Sequence, residues 1–383
     1  MKNTILYFSL FMCIANCKKA YNPPAITALN NYLVVDGFIN MAPNSVTTYT
    51  LTRAKNLGDT TINIAELNAQ VLIKSNTGTI YPLFDINSTG IYSSNTILLS
   101  NTNAYQLLIT TTDGHQYESE LVTPKKSPLI DSITWKQTDE EDVSIFAHTH
   151  DDENKTKFYK WNYIETWEYN ARLLSYWGEE NGRIFFLDST TQMNRCWSNA
   201  TSTAVITGTT IALNQDVISK APITTIIKAD KKIKIRYSIL VQQLALKEAA
   251  YNYWRIIEKN SQKLGTLFDL QPAQLKGNIR CTNILKEPVI GFISATTITE
   301  KRIFINNNQL YNWPTIVTEI PCETLVLPVN PSDQFAYNYF DPSFAPYYFS
   351  SGSFSVPRGL VITRKECIDC RLKGGSNVKP LFW

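Results

Sequence analysis

Short runs of alternating apolar and polar residues fill the first third of the sequence, and they constrain the fold more than any other feature. Successive side chains of a β-strand point to opposite faces, so each run predicts a strand with one buried face. Asp113-Gly114, between two of the runs, is a strong β-hairpin signal. The runs are residues 33–38, 46–51, 71–74, 80–83, 105–110 and 117–121. They predict an N-terminal β-sandwich of immunoglobulin-like or transthyretin-like type over residues 32–127.

The remainder, residues 128–383, is predicted to be a larger β-rich domain with one packed α-helix. Strands are expected near residues 133–135, 143–148, 157–169 and 236–242. A helical period occurs at residues 246–264, where Ala250, Tyr253, Trp254 and Ile257 recur on one face and Gly265 is placed to cap the helix. We interpret this aromatic stripe as core packing against a sheet rather than a cofactor pocket. The fold class is therefore mainly β.

The first residues of the sequence have the features of an export signal. Lys2 precedes the apolar run 5–15, which is too short to span a bilayer but suits a signal peptide. The run ends in Ile14-Ala15-Asn16-Cys17, which resembles a lipobox. We therefore predict residues 1–16 to be a lipoprotein signal peptide, Cys17 to carry the acyl chains (palmitate), and residues 17–31 to form a tether. The alternative is an ordinary secretory signal in which Cys13 and Cys17 are incidental.

Composition and motifs argue against several function classes. The net charge is +3 and 18% of the 383 residues are charged, without a basic stripe that would indicate nucleic-acid binding. The sequence contains no glycine-rich phosphate loop, no GxSxG nucleophile elbow and no Cys–His arrangement of a catalytic pair. We expect neither an enzyme nor a cofactor.

Five cysteines remain after Cys17: Cys196, Cys281, Cys322, Cys367 and Cys370. The last two form a CxxC motif, which has no second CxxC or paired histidine near it to complete a zinc site. In an exported protein a structural disulfide is the better interpretation. We expect one cysteine of the CxxC to pair with Cys322.

The best candidate for a metal site is His148-Thr149-His150-Asp151. Alternation places His148 and His150 on one face of a strand, with Asp151 in the turn that follows. The competing interpretation is a strand that ends in an acidic turn. Glu165 and Glu168 suggest a glycosidase pair, but residues three apart on a strand point to opposite faces. We expect Glu165 to be buried and paired, with Arg236 as a candidate partner.

An aromatic-rich irregular segment spans residues 306–355. Long loops in compact domains are often functional, and tyrosine and tryptophan are typical of binding surfaces. The alternative is that these rings fill the core or cover a sheet edge. The candidate residues for ligand or partner binding are Trp313, Tyr337, Tyr339, Phe340, Tyr347 and Tyr348.

Three blocks together resemble a known family: residues 148–168, residues 236–279 with Tyr251, Tyr253 and Trp254, and the tail from Cys367 to Trp383. The chain is similar to the domain-of-unknown-function outer-membrane lipoproteins of the Bacteroidetes, which are often encoded beside TonB-dependent receptors. The resemblance implies an accessory or binding partner of such a receptor in nutrient uptake. Lys18-Lys19 after the lipidation site leaves open whether the protein faces the periplasm or the cell surface. A metal-dependent surface hydrolase and a structural envelope lipoprotein are the alternatives.

Overall fold

The computed structural model describes residues 32–54, 64–138, 141–228, 230–262, 276–284, 287–314, 321–328, 332, 341–352 and 358–383. The signal peptide and tether, including Cys17, lie outside the described residues. So do Gly265, Tyr337, Tyr339 and Phe340.

The described part is mainly β, which confirms the predicted fold class. The first strands are β1 Leu33–Gly37, β2 Ile39–Asn40, β3 Thr48–Arg53, β4 Ile64–Ala65, β5 Gln70–Ser75, β6 Ile80–Asp85, β7 Ile91–Ser94, β8 Tyr105–Thr110 and β9 Gln116–Ser119. The next are β10 Ile130–Gln137, β11 Val143–His150, β12 Phe158–Asn170, β13 Trp177–Glu180, β14 Arg183–Phe186, β15 Arg195–Thr201, β16 Ile206–Thr209, β17 Val217–Ile226 and β18 Arg236–Ala245. The last are β19 Ile279–Cys281, β20 Val289–Ile290, β21 Ala295–Thr296, β22 Ile298–Asn306, β23 Thr324–Leu327, β24 Phe344–Ser350 and β25 Gly359–Arg364. The α-helices are α1 Glu248–Gln262 and α2 Lys365–Ile368.

The N-terminal unit is one curled sheet in the order β19-β9-β8-β5-β6-β7-β3-β1-β20, with β4 added to β3. Burial alternates along its strands as the sequence predicts; in β8 every second side chain, from Tyr105 to Ile109, is buried. The inward side chains form a single apolar core.

Later parts of the chain complete this N-terminal sheet. β19 pairs with β9, and β20 pairs in parallel with β1, so both ends of the sheet come from residues beyond helix α1. β21 pairs in parallel with β2. Sequence analysis places all three strands in the second domain because two or three residues are too short to show alternation. The first structural unit is therefore larger than residues 32–127.

The second unit is a sandwich of two sheets. One sheet has the order β10-β11-β17; the other has the order β15-β12-β18-β22, with β16 also paired to β12. The two inner faces share one core that includes Tyr159, Trp161 and Tyr237. β12 is 13 residues long and places Tyr159, Trp161 and Tyr163 on this inner face, as the alternation predicts.

Helix α1 crosses the opposite face of β12. Ala250 and Tyr253 are buried, and the Tyr251 ring lies 4.9 Å from the Phe158 ring between centroids. The predicted apolar stripe is thus confirmed as a packing surface. The helix also contacts the N-terminal unit, since the Tyr253 ring lies 5.4 Å from that of Phe292, which follows β20. Helix α1 therefore sits between the two units.

Two disulfides fasten the C-terminal region. Cys322 is bonded to Cys367, which confirms the expected pairing of a CxxC cysteine with Cys322. Cys370 is bonded to Cys196 on β15, a pairing that sequence analysis did not identify. Cys281 is a buried free thiol. Among the described residues, no helix combines the length and the apolar character needed to cross a bilayer.

Candidate partner-binding surface

A β-hairpin, β13–β14, projects an exposed aromatic group beside the small sheet β23-β25-β24. Its turn is Asn181-Gly182, and both residues have positive φ angles of 52° and 74°. This is the backbone that a two-residue type I′ turn requires, and asparagine and glycine adopt it at low cost. Gly178 lies under the Phe185 ring, so a Cβ at this position would overlap the ring. Local sequence therefore fixes the hairpin.

One face of the hairpin packs on the small sheet, and Trp177, Ile184 and Phe186 all lie on this face. Ile184 is buried and packs with Phe344, Leu360 and Ile362 of the small sheet. Ser175, just before the hairpin, is buried with its Oγ 3.0 Å from the carbonyl oxygen of Pro346. These contacts hold the hairpin against β24.

A continuous chain of rings, which we call the aromatic surface, extends from the edge of this core: Tyr176, Trp177, Phe186 and Phe349. Trp177 and Phe349 are half-buried and pack on the core, whereas Tyr176 and Phe186 are exposed. Tyr176 stacks on Phe186 at 6.1 Å between centroids, and Trp177 meets Phe186 edge to face at 5.8 Å. Trp177 also meets Phe349 edge to face at 5.0 Å. Tyr176 is 51% exposed and Phe186 is 62% exposed. Exposed aromatic groups that are held rigidly are typical of protein interfaces, because little side-chain entropy is lost on binding.

Of the aromatic residues predicted to bind a ligand or partner, some lie beside the aromatic surface and one lies in a core. Tyr347 and Tyr348 lie on β24 next to Phe349, with their rings 4.8 Å apart, and Tyr348 is 39% exposed. Trp313 is different: it is buried in the core of the two-sheet sandwich, so it does not belong to the aromatic surface. Sequence analysis missed Tyr176 and Phe186. The Asn181-Gly182 hairpin signal between apolar residues was the pattern that could have identified them.

His148 and His150 lie on the outer face of β11, as predicted, but their ring nitrogens have other partners. His148 Nε2 is 2.8 Å from Thr134 Oγ1, and His150 Nδ1 is 2.8 Å from Asp131 Oδ2. The Asp131 carboxylate raises the pKa of His150. Asp151 accepts hydrogen bonds from backbone N–H groups of its own turn, including that of Thr156 at 2.8 Å.

These contacts correspond to the acidic-turn interpretation of the segment. Within the described ranges, no group of three or more histidine, cysteine, aspartate or glutamate side chains is arranged to hold a metal ion. His148, His150 and Asp151 are therefore not assembled as a ligand set.

Glu165 and Glu168 are both buried and have separate partners. Glu165 accepts hydrogen bonds from Lys232 Nζ and from the Tyr237 hydroxyl, each at 2.7 Å. The expectation that Glu165 is buried and paired is confirmed. Its partners are Lys232 and Tyr237, however, and not Arg236. Glu168 accepts from Arg195 Nε at 2.6 Å. The two carboxylates do not face a common cleft, because a spacing of three places them on opposite faces of β12.

A family model described as a domain of unknown function (DUF4249) matches residues 19–302. The chain belongs to this family. The match includes the N-terminal sheet, hairpin β13–β14 and helix α1, and it ends inside β22. No curated protein matches the chain in sequence. The family has no described activity. Membership therefore assigns no reaction or ligand to the chain, and its function has to be inferred from its own residues.

Proposed function

We propose that the protein is an outer-membrane lipoprotein that acts as an accessory partner of a TonB-dependent receptor in nutrient uptake, and that it contacts the receptor through the aromatic surface. The observation that carries the proposal is the ring chain from Tyr176 to Phe349, in which the half-buried Trp177 and Phe349 hold the exposed Tyr176 and Phe186 in place. The lipobox-like segment ending at Cys17 supports attachment to the membrane. The resemblance to the Bacteroidetes lipoproteins supports the choice of partner.

The arrangement suits docking better than catalysis. The hairpin is fixed by its Asn181-Gly182 turn, by Ile184 in the small core and by the hydrogen bond from Ser175 to the Pro346 carbonyl oxygen of β24. The rings are therefore held in place before binding. Preorganisation of this kind reduces the entropy lost on association. The Cys322–Cys367 disulfide ties the loop before β23 to helix α2 at the end of β25, which further fixes the small sheet.

Co-purification from detergent-solubilised outer membranes tests the proposal. We expect a tagged wild-type protein to carry a TonB-dependent receptor with it, and the double variant Tyr176→Ser/Phe186→Ser to lose it. The matched control is Phe84→Ser on β6, because Phe84 is 52% exposed on the N-terminal sheet, remote in sequence from the aromatic surface. The docking proposal is wrong if the double variant and the control retain equal amounts of receptor, or if wild type carries no receptor.

Lipidation is tested separately by Cys17→Ala. We expect this variant to lose palmitate labelling and to leave the membrane fraction, while wild type stays with the outer membrane. Unchanged labelling would contradict the assignment of Cys17 and leave the aromatic surface to be judged by co-purification alone.

A further inference from the structure

A cavity of about 530 Å³ lies where the N-terminal sheet, the second sandwich and helix α1 meet. Asp36 of β1 and Thr50 and Thr52 of β3 line one wall. Asn162 of β12 and Gln242 of β18 line the facing wall. Its size is within the range of small-molecule sites in proteins, and groups from several elements converge on it.

Helix α1 closes a third side of the cavity with its aromatic stripe. Tyr253, Trp254 and Ile257 all line the space, and the loop with Ser202 and Ala204 borders it. The stripe that packs against the sheet therefore also lines part of the cavity.

Lys160 is the distinctive residue of the cavity. It is half-buried on β12, and its Nζ lies 3.7 Å from the centre of the Trp254 ring. Among the residues that the structure describes, its ammonium has a cation–π contact and no hydrogen-bond acceptor or ion-pair partner. Burial lowers the pKa of Lys160, while the negative charge of Asp36 acts in the opposite direction. A desolvated ammonium without an acceptor is costly, and an anion that entered the cavity would relieve the cost.

The neighbouring polar groups narrow the ligand class. Asn162 follows Lys160 by two residues, so both side chains are on the same face of β12 and reach the same space. Asn162 faces Gln242 across the β12–β18 pair, which adds a second amide. The Gln242 Nε2 donates to Glu300 Oε1 at 2.6 Å, so the Gln242 Oε1 is the atom that can accept from a ligand hydroxyl or amino group. Asp36 on the other wall would repel a ligand with several negative charges. A single carboxylate with additional hydroxyl or amino groups matches this set.

We propose that the cavity is a binding site for a small solute that carries one carboxylate, with Lys160 donating to the carboxylate and the Asn162 and Gln242 amides contacting the remaining polar groups. A sugar acid and a short peptide both supply this chemistry. The site is independent of the aromatic surface, so it does not depend on the proposed docking function.

Isothermal titration calorimetry on the mature protein tests the site with two matched probe pairs. The first pair is D-glucuronate and D-glucose; the second is glycyl-leucine and its C-terminal amide. We expect a carboxylate-bearing member to bind at millimolar concentration or below, and its uncharged-end counterpart to bind at least about tenfold more weakly, because the charge-assisted contact is lost. The pair that responds identifies a sugar acid or a peptide as the source of the carboxylate.

Three variants assign any binding to the cavity. Lys160→Met should weaken binding by about tenfold or more, whereas Lys160→Arg should retain most of it because the positive charge remains. Ala204→Trp, in the exposed loop that borders the cavity, should block binding without disturbing the core, which keeps the test valid if Lys160→Met fails to fold. The proposal is overturned if neither carboxylate binds, if the counterparts that lack the carboxylate bind equally, or if Ala204→Trp has no effect.

Discussion

Cys196 and Cys370 form a disulfide across 174 residues of sequence, and this bond joins β15 of the second sandwich to the turn that follows helix α2. The neighbouring CxxC cysteine, Cys367, is bonded to Cys322 instead. The two cysteines of the motif therefore connect the C-terminal region to two different segments, β15 through Cys370 and the loop before β23 through Cys367. They are not bonded to each other, so the motif is structural in this chain.

Removing the long-range disulfide should destabilise the protein. The double variant Cys196→Ser/Cys370→Ser frees a loop of 174 residues in the unfolded state, and we expect the free energy of unfolding to fall by roughly 2–5 kcal/mol. Urea denaturation measures the loss. Non-reducing peptide mapping should recover the 196–370 and 322–367 linkages; a 367–370 linkage would contradict the arrangement.

Gln243 should be critical for the core of the second sandwich. It is fully buried, accepts from Trp161 Nε1 at 2.9 Å and donates to the Pro128 carbonyl oxygen at 2.9 Å. Gln243→Leu leaves the buried Trp161 Nε1–H without its acceptor and removes the donor to the buried Thr149 Oγ1, and we expect a loss of about 2–4 kcal/mol in unfolding free energy.

Gln242 is the matched control for this substitution, because it is the adjacent residue of β18 and points to the opposite, half-buried face. Gln242→Leu should change stability by no more than about 0.5 kcal/mol. Equal losses in the two variants, measured by chemical denaturation, would show that the buried hydrogen bonds are not the cause.

The pKa of His150 should depend on Asp131. The carboxylate lies 2.8 Å from His150 Nδ1 and raises the pKa of His150 above its ordinary value. Asp131→Asn should therefore lower it, as followed by NMR titration of the imidazole resonances. Asp152 lies farther away, at 3.2 Å from Nε2, and is 93% exposed at its side chain, so Asp152→Asn should have the smaller effect.

The same pair predicts a pH dependence of stability. Because the folded-state pKa is raised, the stabilisation is fully present below the unfolded-state pKa of about 6.5 and is lost as the pH rises through the folded value. The difference in unfolding free energy between wild type and Asp131→Asn should thus be larger in mildly acidic than in alkaline buffer. A difference that grows with pH would contradict the pairing.

The C-terminal Trp383 should contribute to stability. Its Nε1 donates to Glu168 Oε2 at 3.1 Å, and its ring lies 5.6 Å from that of Phe304 and 5.3 Å from the Arg236 guanidinium. We expect Trp383→Ala to reduce the unfolding free energy by about 1–3 kcal/mol, since Glu168 is buried and loses a donor. Leu381→Ala is the control because Leu381 is fully exposed, and thermal denaturation should leave it at the wild-type midpoint.

Some elements could be predicted from sequence because their signal is local. β8 and β12 show a two-residue period, and helix α1 shows a 3.6-residue period, since each buries one face against the rest of the molecule. The aromatic hairpin β13–β14 also has a local signal, the Asn181-Gly182 turn.

Other features have no local signal. Strands β19 and β20 are too short to show a period, and only pairing with β9 and β1 makes them strands. Whether an aromatic residue is exposed or buried is also decided by its surroundings: Trp313 fills a core, whereas Phe186 is on the surface. Both are large aromatic residues, and neither residue type shows from sequence alone whether the side chain will be buried.

The mainly β fold and the helix could be predicted because both follow from the periodicity of apolar residues. The pairing of Cys322 with a cysteine of the CxxC motif could be predicted because no second CxxC or histidine pair is present to complete a zinc site. The bond between Cys370 and Cys196 and the position of Lys160 over Trp254 near Asp36 are set by tertiary packing. Those residues are far apart in the chain. Their proximity depends on how elements from distant parts of the chain pack against one another, and no local sequence pattern contains that information.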